Sequence, residues 1–327
     1  MEINDKKEFV FYYESRQNPN GDPGFDNQPR IQSDDTILVT DVRIKRTIRD
    51  YAKSKGEKIF VDFDKNGEHI DAENRAKEIL EKEKLEMGDE LKLLEKTFDV
   101  PLFGALVPIK DKKGKRNKKE GSDAENSDES NDKGDSIKIT GPVQFAIGRS
   151  INKVKIINPQ ISSIFAARVE KSGTFGKFYS VEYALLKTYG AINPANLGDY
   201  KEEGFKYFKA AEEKFLNYLW NGTNELVTRS KYPQRSIFYI EVTYDNKLYN
   251  DLHELIKENE AMKKEGLKGL VKPLFVFDDL LAALEKRNDK IKNVKIVACN
   301  ELKDEVEELK ERLNKSLSSK KVQIIDM

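Results

Sequence analysis

Four cations crowd one short stretch of the chain: Arg43, Lys45, Arg46 and Arg49 fall within seven residues. Laid along a polynucleotide they would neutralise phosphates, and the arginines could fork onto phosphate oxygens. The same run also fits a solvated helix face, with Asp41 and Asp50 partly offsetting it. A second candidate is the loop Asn18-Pro19-Asn20-Gly21-Asp22-Pro23-Gly24. Backbone N–H groups in a glycine-rich loop leaving a strand can cradle phosphate. Asp22 and Asp26 could instead act as metal-binding or acid–base carboxylates, and an ordinary turn fits the pattern too. A third is Gly141-Pro142-Val143-Gln144-Phe145-Ala146-Ile147-Gly148-Arg149-Ser150, where small residues allow close backbone approach and Gln144, Arg149 and Ser150 supply polar contacts. A kinked core strand would carry the same residues. In the fourth, residues 153–177, Lys153, Lys155, Arg168, Lys171 and Lys177 are interspersed with Ile156, Ile157, Ile161, Ile164, Phe165 and Phe175. Apolar and aromatic groups among cations suit base wedging combined with phosphate contact. A hairpin packed on a neighbouring domain or subunit is the alternative.

Enzymatic motifs are scarce. The chain has neither GxxxxGK[ST] nor HExxH. His69 and His253 are its two histidines, which disfavours a Ser-His-Asp or Cys-His site. Cys299 is its one cysteine, which excludes an intramolecular disulfide and a multi-cysteine zinc site. The paired acids Asp34-Asp35 and Asp278-Asp279 fall where loops or helices begin, and capping accounts for them. No catalytic residue, metal or cofactor is expected.

The elements that must position these groups can be read from periodicity. Residues 8–15, rich in aromatic and β-branched types, predict a strand, and 16–36 a long polar loop whose glycine and proline block helix and strand alike. A helix is expected over about 41–54, capped by Thr40 or Asp41, with Ile44, Ile48 and Tyr51 on an apolar stripe and the four cations on the remaining arc. Residues 58–63 predict a strand followed by an Asn66-Gly67 turn, 71–97 one or two helices broken near Gly88, and 99–109 an extended apolar run. The stretch 111–136 can bury almost nothing and predicts a disordered surface insertion. A strand broken at Gly141-Pro142 follows, then an extended hairpin over 156–176, while 177–189 fits strand or helix. Phe205, Phe208, Ala211, Phe215, Leu219 and Trp220 mark a helix over 199–220, ended by Asn221-Gly222, and 236–244 a strong strand. Beyond 245 two or three helices and short strands at 292–298 and 321–325 are expected. The order β, α, strand pair, α, β predicts an α+β fold of the split βαβ, ferredoxin-like type, an arrangement that RNA-recognition modules share.

Charge supports a nucleic-acid partner only when it is resolved by segment. The chain carries 58 basic and 58 acidic residues in 327, a net charge of zero that by itself argues against one. Residues 1–110 sum to −5, 111–137 to −1, 138–240 to +7 and 241–327 to −1. A basic block thus sits inside a neutral protein. No apolar run approaches the roughly 18–20 residues a bilayer span needs, and the first residues lack an apolar signal core. The expectation is a cytoplasmic protein with no membrane partner.

Taken together and in order, these segments resemble the backbone subunit (RAMP superfamily) of type I CRISPR Cascade surveillance complexes, most nearly the type I-B branch. The residues that carry the resemblance are Asn18-Pro19-Asn20-Gly21-Asp22-Pro23, then Val39-Thr40-Asp41-Val42-Arg43-Ile44-Lys45-Arg46-Thr47-Ile48-Arg49-Asp50. Pro101-Leu102-Phe103-Gly104, Gly141-Pro142-Val143-Gln144-Phe145 with Arg149-Ser150, and Arg235-Ser236-Ile237-Phe238-Tyr239-Ile240-Glu241-Val242 complete the set. The resemblance implies a modified RRM palm with a helical fingers insertion and a protruding thumb hairpin. It implies palm segments at 1–59, 141–152 and 178–327, fingers at 60–140 and the thumb at 153–177. It also implies a non-catalytic subunit, several copies of which bind one CRISPR guide RNA as a helical filament, with other Cascade subunits, and present it to target DNA. Arg16, Gln17, Asn20, Arg43, Lys45, Arg46, Arg49, Gln144, Arg149, Ser150, Lys153, Lys155 and Arg168 are then the expected RNA contacts, and Ile164 or Phe165 the base wedge. Related type III subunits cut target RNA with a loop aspartate, which makes Asp22 or Asp26 the alternative reading.

Overall fold

The computed structural model describes residues 1–64, 67–86, 88–109, 136–158, 160–163, 174–317 and 321–327. The insertion expected over 111–136 lies outside them except for Ser136, as do Ile164, Phe165, Arg168 and Lys171.

The chain opens with β1 (Asp5–Ser15), then a short pair, β2 (Gly21–Asp22) and β3 (Gln28–Ile31), then β4 (Ile37–Val39) and helix α1 (Asp41–Ser54). Three short helices follow, α2 (Ala72–Leu80), α3 (Glu90–Lys96) and α4 (Asp99–Phe103), and a hairpin of β5 (Gly104–Pro108) with β6 (Ser136–Thr140). Short strands β7 (Val143–Phe145), β8 (Gly148–Ser150), β9 (Ile156–Ile157), β10 (Gln160–Ser163), β11 (Thr174–Lys177) and β12 (Ser180–Val181) lead to β13 (Ala184–Ile192). Helix α5 (Lys201–Asn224) and β14 (Gln234–Asp245) come next. The remainder supplies α6 (Leu252–Leu255), β15 (Lys257–Glu258), β16 (Phe275–Val276), α7 (Asp278–Lys286), β17 (Ile291–Ala298), α8 (Lys303–Ser316) and β18 (Val322–Ile324).

One large mixed sheet runs in the order β18-β17-β14-β1-β13-β8-β4-β3-β2, with β7 also on β13. Its pairs are antiparallel except β17 with β18. In the stretch β14-β1-β13-β8, the connection from β1 to β8 includes α1 and that from β13 to β14 includes α5, as in a split βαβ pattern. The sheet is covered on both faces, which explains why β1 reads as an almost unbroken apolar run. Phe9, Phe11 and Tyr13 enter one core with α1 and α5, while Val10 and Tyr12 enter a second with α6, α7 and α8. A charged network crosses the first face: Lys7 Nζ sits 2.5 Å from Glu212 and 2.8 Å from Glu241. Tyr239 Oη donates to Glu241 Oε2 at 2.7 Å.

Four local expectations change. The 16–36 loop contains the β2–β3 pair, because Gly21 can approach the backbone of Asn27 where a Cβ would lie 2.7 Å from its carbonyl oxygen. The strand expected over 58–63 is reduced to an isolated bridge between Phe63 and His69. Its neighbouring polar groups are met by side chains instead: Phe60 and Val61 N–H donate to the Asp99 carboxylate at 2.6 and 3.1 Å, and Arg75 donates to Ile59 and Phe60 carbonyls at 2.7 and 3.2 Å. The run expected to be extended over 99–109 begins as helix α4 and turns into β5 at Gly104, whose φ is 78°. Helix α5 continues past Asn221-Gly222 to Asn224, because Gly222 lets Tyr51 of α1 pack against the helix backbone.

Candidate nucleic-acid interface

Helix α1 starts where expected, with Thr40 Oγ1 accepting from Arg43 N at 3.3 Å. Ile44, Ile48 and Tyr51 are buried. The four cations, however, do not share one free face. Arg49 is buried, its Nε 2.7 Å from Asp99, which is 1% exposed. It clamps α1 to α4 rather than facing solvent, because the Asp99 carboxylate that satisfies Phe60 and Val61 needs a cation. Arg46 pairs with Asp50 at 2.5 Å and lies over the Phe63 ring. Lys45 pairs with Asp41 at 3.0 Å. Arg43 differs: its guanidinium donates to Thr47 Oγ1 at 2.9 Å, and among the described residues it makes no ion pair.

The 16–24 loop is pinned beside the start of this helix. Asn20 is buried; with its amide oriented to suit its neighbours, Oδ1 accepts from Arg30 Nε at 3.1 Å and Thr40 N at 3.3 Å. It holds loop to helix rather than projecting outward. Gln17 Oε1 is also shut away from solvent. Arg16 lies half-exposed over the Tyr183 ring, 5.1 Å from its centroid. Asp22 pairs with Arg30 at 3.0 Å and accepts from Gly24 N at 3.0 Å. Asp26 pairs with Lys177, at the end of β11, at 3.0 Å.

A segment that sequence patterns did not single out closes over the loop from the other side. Asn18 N donates to Ser230 O at 2.9 Å and Arg16 N to Pro233 O at 3.3 Å. Lys231 Nζ donates to Asn18 O at 2.7 Å. Burial, followed by the nearby positive charge of Arg43, pushes the Lys231 ammonium down to about 8. Burial also lowers Arg43 from its ordinary value, against Asp50 and Tyr13, which raise it. Lys231 and Arg43 are thus two half-buried cations that make no ion pair among the described residues. Such an arrangement is costly alone and is relieved by a bound anion.

The remaining candidates lie on β7, on β8 and in the chain just after them. Arg149 and Lys153 are exposed and reach Asp34 and Asp35 at 3.1 and 3.7 Å. Lys155 is exposed, with no ion pair among the described residues. Gln144 is exposed, its Nε2 donating to Gly141 O at 2.8 Å. Ser150 is buried: its Oγ accepts from Ile37 N at 3.0 Å and donates to Asn152 O at 2.8 Å, fastening β8 to β4. It is therefore held away from any surface ligand. Strands β10 and β11 pair from Gln160 with Lys177 to Ser163 with Thr174, as expected of a hairpin.

The family model for CRISPR-associated protein Cas7 matches residues 5–280, most of the chain. The chain belongs to the Cas7 family. A CRISPR-associated protein Cas7 from Haloferax volcanii is 26% identical over 307 residues, covering 89% of this chain and 86% of that protein. Two solved chains, from a CRISPR RNA-guided surveillance complex and from such a complex described as pre-nicking, are 12% and 11% identical. They align with TM-scores of 0.47 each, covering 90% and 98% of this chain and 89% and 96% of theirs. In this Cas7-family chain Arg229, Lys231 and Tyr232, which the sequence patterns did not single out, lie in a turn between α5 and β14 with no periodicity to mark them. The signal that could have found them is cations beside an aromatic, Arg229-Ser230-Lys231-Tyr232, inside the +7 block.

Proposed function

We propose that this chain is a non-catalytic CRISPR RNA-binding backbone subunit of a type I Cascade surveillance complex, of the I-B kind. Membership of the Cas7 family over residues 5–280 carries this reading. Several copies bind one guide RNA side by side, and with other Cascade subunits present it for pairing with target DNA. The large sheet serves as an RRM-like palm, residues 60–140 as fingers, and the 153–177 hairpin as the thumb that reaches a neighbouring copy. Arg43, with Arg16, Lys155, Arg149 and Lys153, contacts phosphates without regard to base sequence. The ion pairs of Asp22 with Arg30 and Asp26 with Lys177 support a loop used for structure rather than for cleaving RNA.

The full chain, purified without nuclease, should carry RNA, seen as a raised ratio of absorbance at 260 to 280 nm. Nuclease trimming of its RNA complex should leave a periodic ladder. Arg43→Ala should weaken binding of unrelated single-stranded RNAs by similar factors, roughly 3- to 10-fold each at moderate salt. A chain that carries no RNA and fails to bind added single-stranded RNA overturns the proposal. Losses confined to one guide sequence also count against it.

A further inference from the structure

We infer that the turn at 227–232 is a second wall of the RNA site, with Lys231 contacting a phosphate jointly with Arg43 and Tyr232 offering its ring to a base. The inference rests on the RNA-binding reading above and adds residues that reading did not contain.

Three observations carry it. First, Lys231 is held in place by its bond to Asn18 O, 2.7 Å away, and has no ion pair among the described residues. Its ammonium is therefore fixed on the loop that Asn20 fastens to Thr40, the cap of α1 that also binds Arg43 N, and a phosphate there would supply the anion that no described residue pairs with it. Second, the flanking side chains are apolar or aromatic and unusually open for their type: Val227 is 71% exposed and Tyr232 56%. Arg229, also exposed, stands over the Phe178 ring, 5.6 Å from its centroid. An open tyrosine ring among cations is the combination that sequence-tolerant single-strand binding uses, because every base has a π face. Third, the turn is tied to the 16–20 loop through Asn18 N to Ser230 O and Arg16 N to Pro233 O, and Asn20 of that loop accepts from Thr40 N at the start of α1.

The test is fluorescence anisotropy of the full chain with a single-stranded RNA of mixed sequence, titrated at several salt concentrations. Lys231→Gln should weaken binding and flatten the log–log salt slope by about 0.7, the contribution of one phosphate on a single strand, and Lys231→Arg should restore both. Tyr232→Ala should weaken binding roughly 5- to 100-fold with the slope unchanged, and Tyr232→Phe should bind like wild type. Melting curves check that each variant folds. As a measurement free of substitution, photocrosslinking of wild type to RNA containing 4-thiouridine should attach to Tyr232. If Arg43→Ala weakens binding but the Lys231 and Tyr232 variants keep wild-type affinity and slope, this inference alone falls. It also falls if crosslinks form elsewhere but none within 227–235. A wild-type chain that binds no RNA overturns this inference and the proposed function together.

Discussion

Arg43 and Arg49 lie six residues apart on one helix and have opposite surroundings. Arg49 neutralises a carboxylate that is 1% exposed and already accepts two backbone N–H groups, so its removal leaves a buried, uncompensated charge. Arg49→Ala should therefore cost about 3–5 kcal/mol of stability. Arg43→Ala removes a cation that has no ion pair among the described residues and should cost about 1 kcal/mol or less. Urea denaturation of both variants checks the contrast; equal midpoints would show that the Arg49–Asp99 pair does not hold α1 to α4. The sequence could not separate these two arginines. Helical periodicity assigns a residue to an arc, but whether that arc meets a partner depends on Asp99, fifty residues away. The same limit applies to Ser150 and Asn20, which are polar, sit in motifs, and turn inward to fasten strands and helix caps.

At the scale of elements, the pieces governed by short-range rules were legible: β1, α1, α5 and β14 appear within a few residues of their expected spans. The failures share a cause. Residues 58–63 have strand-forming types, yet Asp99 and Arg75 satisfy their backbone groups, so no partner strand is required. Asn221-Gly222 is a stop signal by composition, yet Tyr51 packs on Gly222 and the helix continues. In both places a tertiary contact outweighs a local preference of about 1 kcal/mol. The 16–24 loop shows the reverse, a local constraint with distant consequences. A Cβ on Gly21 would sit 2.7 Å from Asn27 O and 3.2 Å from Asn18 Nδ2, so backbone must shift to admit it. Gly21→Ala should lower stability by about 1–3 kcal/mol. Because Asn20 next to it positions Arg30 and the α1 cap, the same change should also weaken RNA binding. Melting and anisotropy on one sample test this; lost stability with unchanged RNA affinity would separate the loop from the site.

Across the whole molecule, the 58 basic and 58 acidic residues cancel in sum, but they are not equally paired in the fold. Among the described residues Glu241 is matched to Lys7 and Lys295, Asp251 to Arg287 and Glu301 to Arg235, whereas Lys231 and Arg43 make no ion pair. The two classes titrate in opposite directions. Burial alone would raise Glu241, but Lys7 and Lys295 overrule it and hold the carboxyl down to about 2. Hydrogen bonds from Arg287 and Arg235 likewise hold Asp251 and Glu301 below the ordinary range. Depressed carboxylates contribute stability that is complete above their unfolded values, near pH 4 to 4.5, and is lost as pH falls toward the folded ones. Stability should thus fall steeply below about pH 5, after a smaller loss as pH falls past about 6.5, where His253, lowered by burial, takes up its proton more readily in the unfolded chain; urea midpoints across pH 3 to 8 check this. Lys231 works at the other end. Its folded value of about 8 makes it charged at neutral pH and increasingly neutral above. The charged group that acts on it, Arg43, keeps its charge, and burial pushes the Tyr13 phenol near Arg43 up and keeps it neutral. A phosphate against Lys231 raises its value, so binding takes up a proton once the free protein has begun to lose it. RNA affinity should then hold steady from pH 6 to 7 and weaken by roughly 3- to 10-fold by pH 9.5. Lys231→Arg should abolish that decline, because guanidinium does not titrate there. Anisotropy at constant ionic strength across this range decides it: a wild-type decline that persists in Lys231→Arg would mean another group carries the proton.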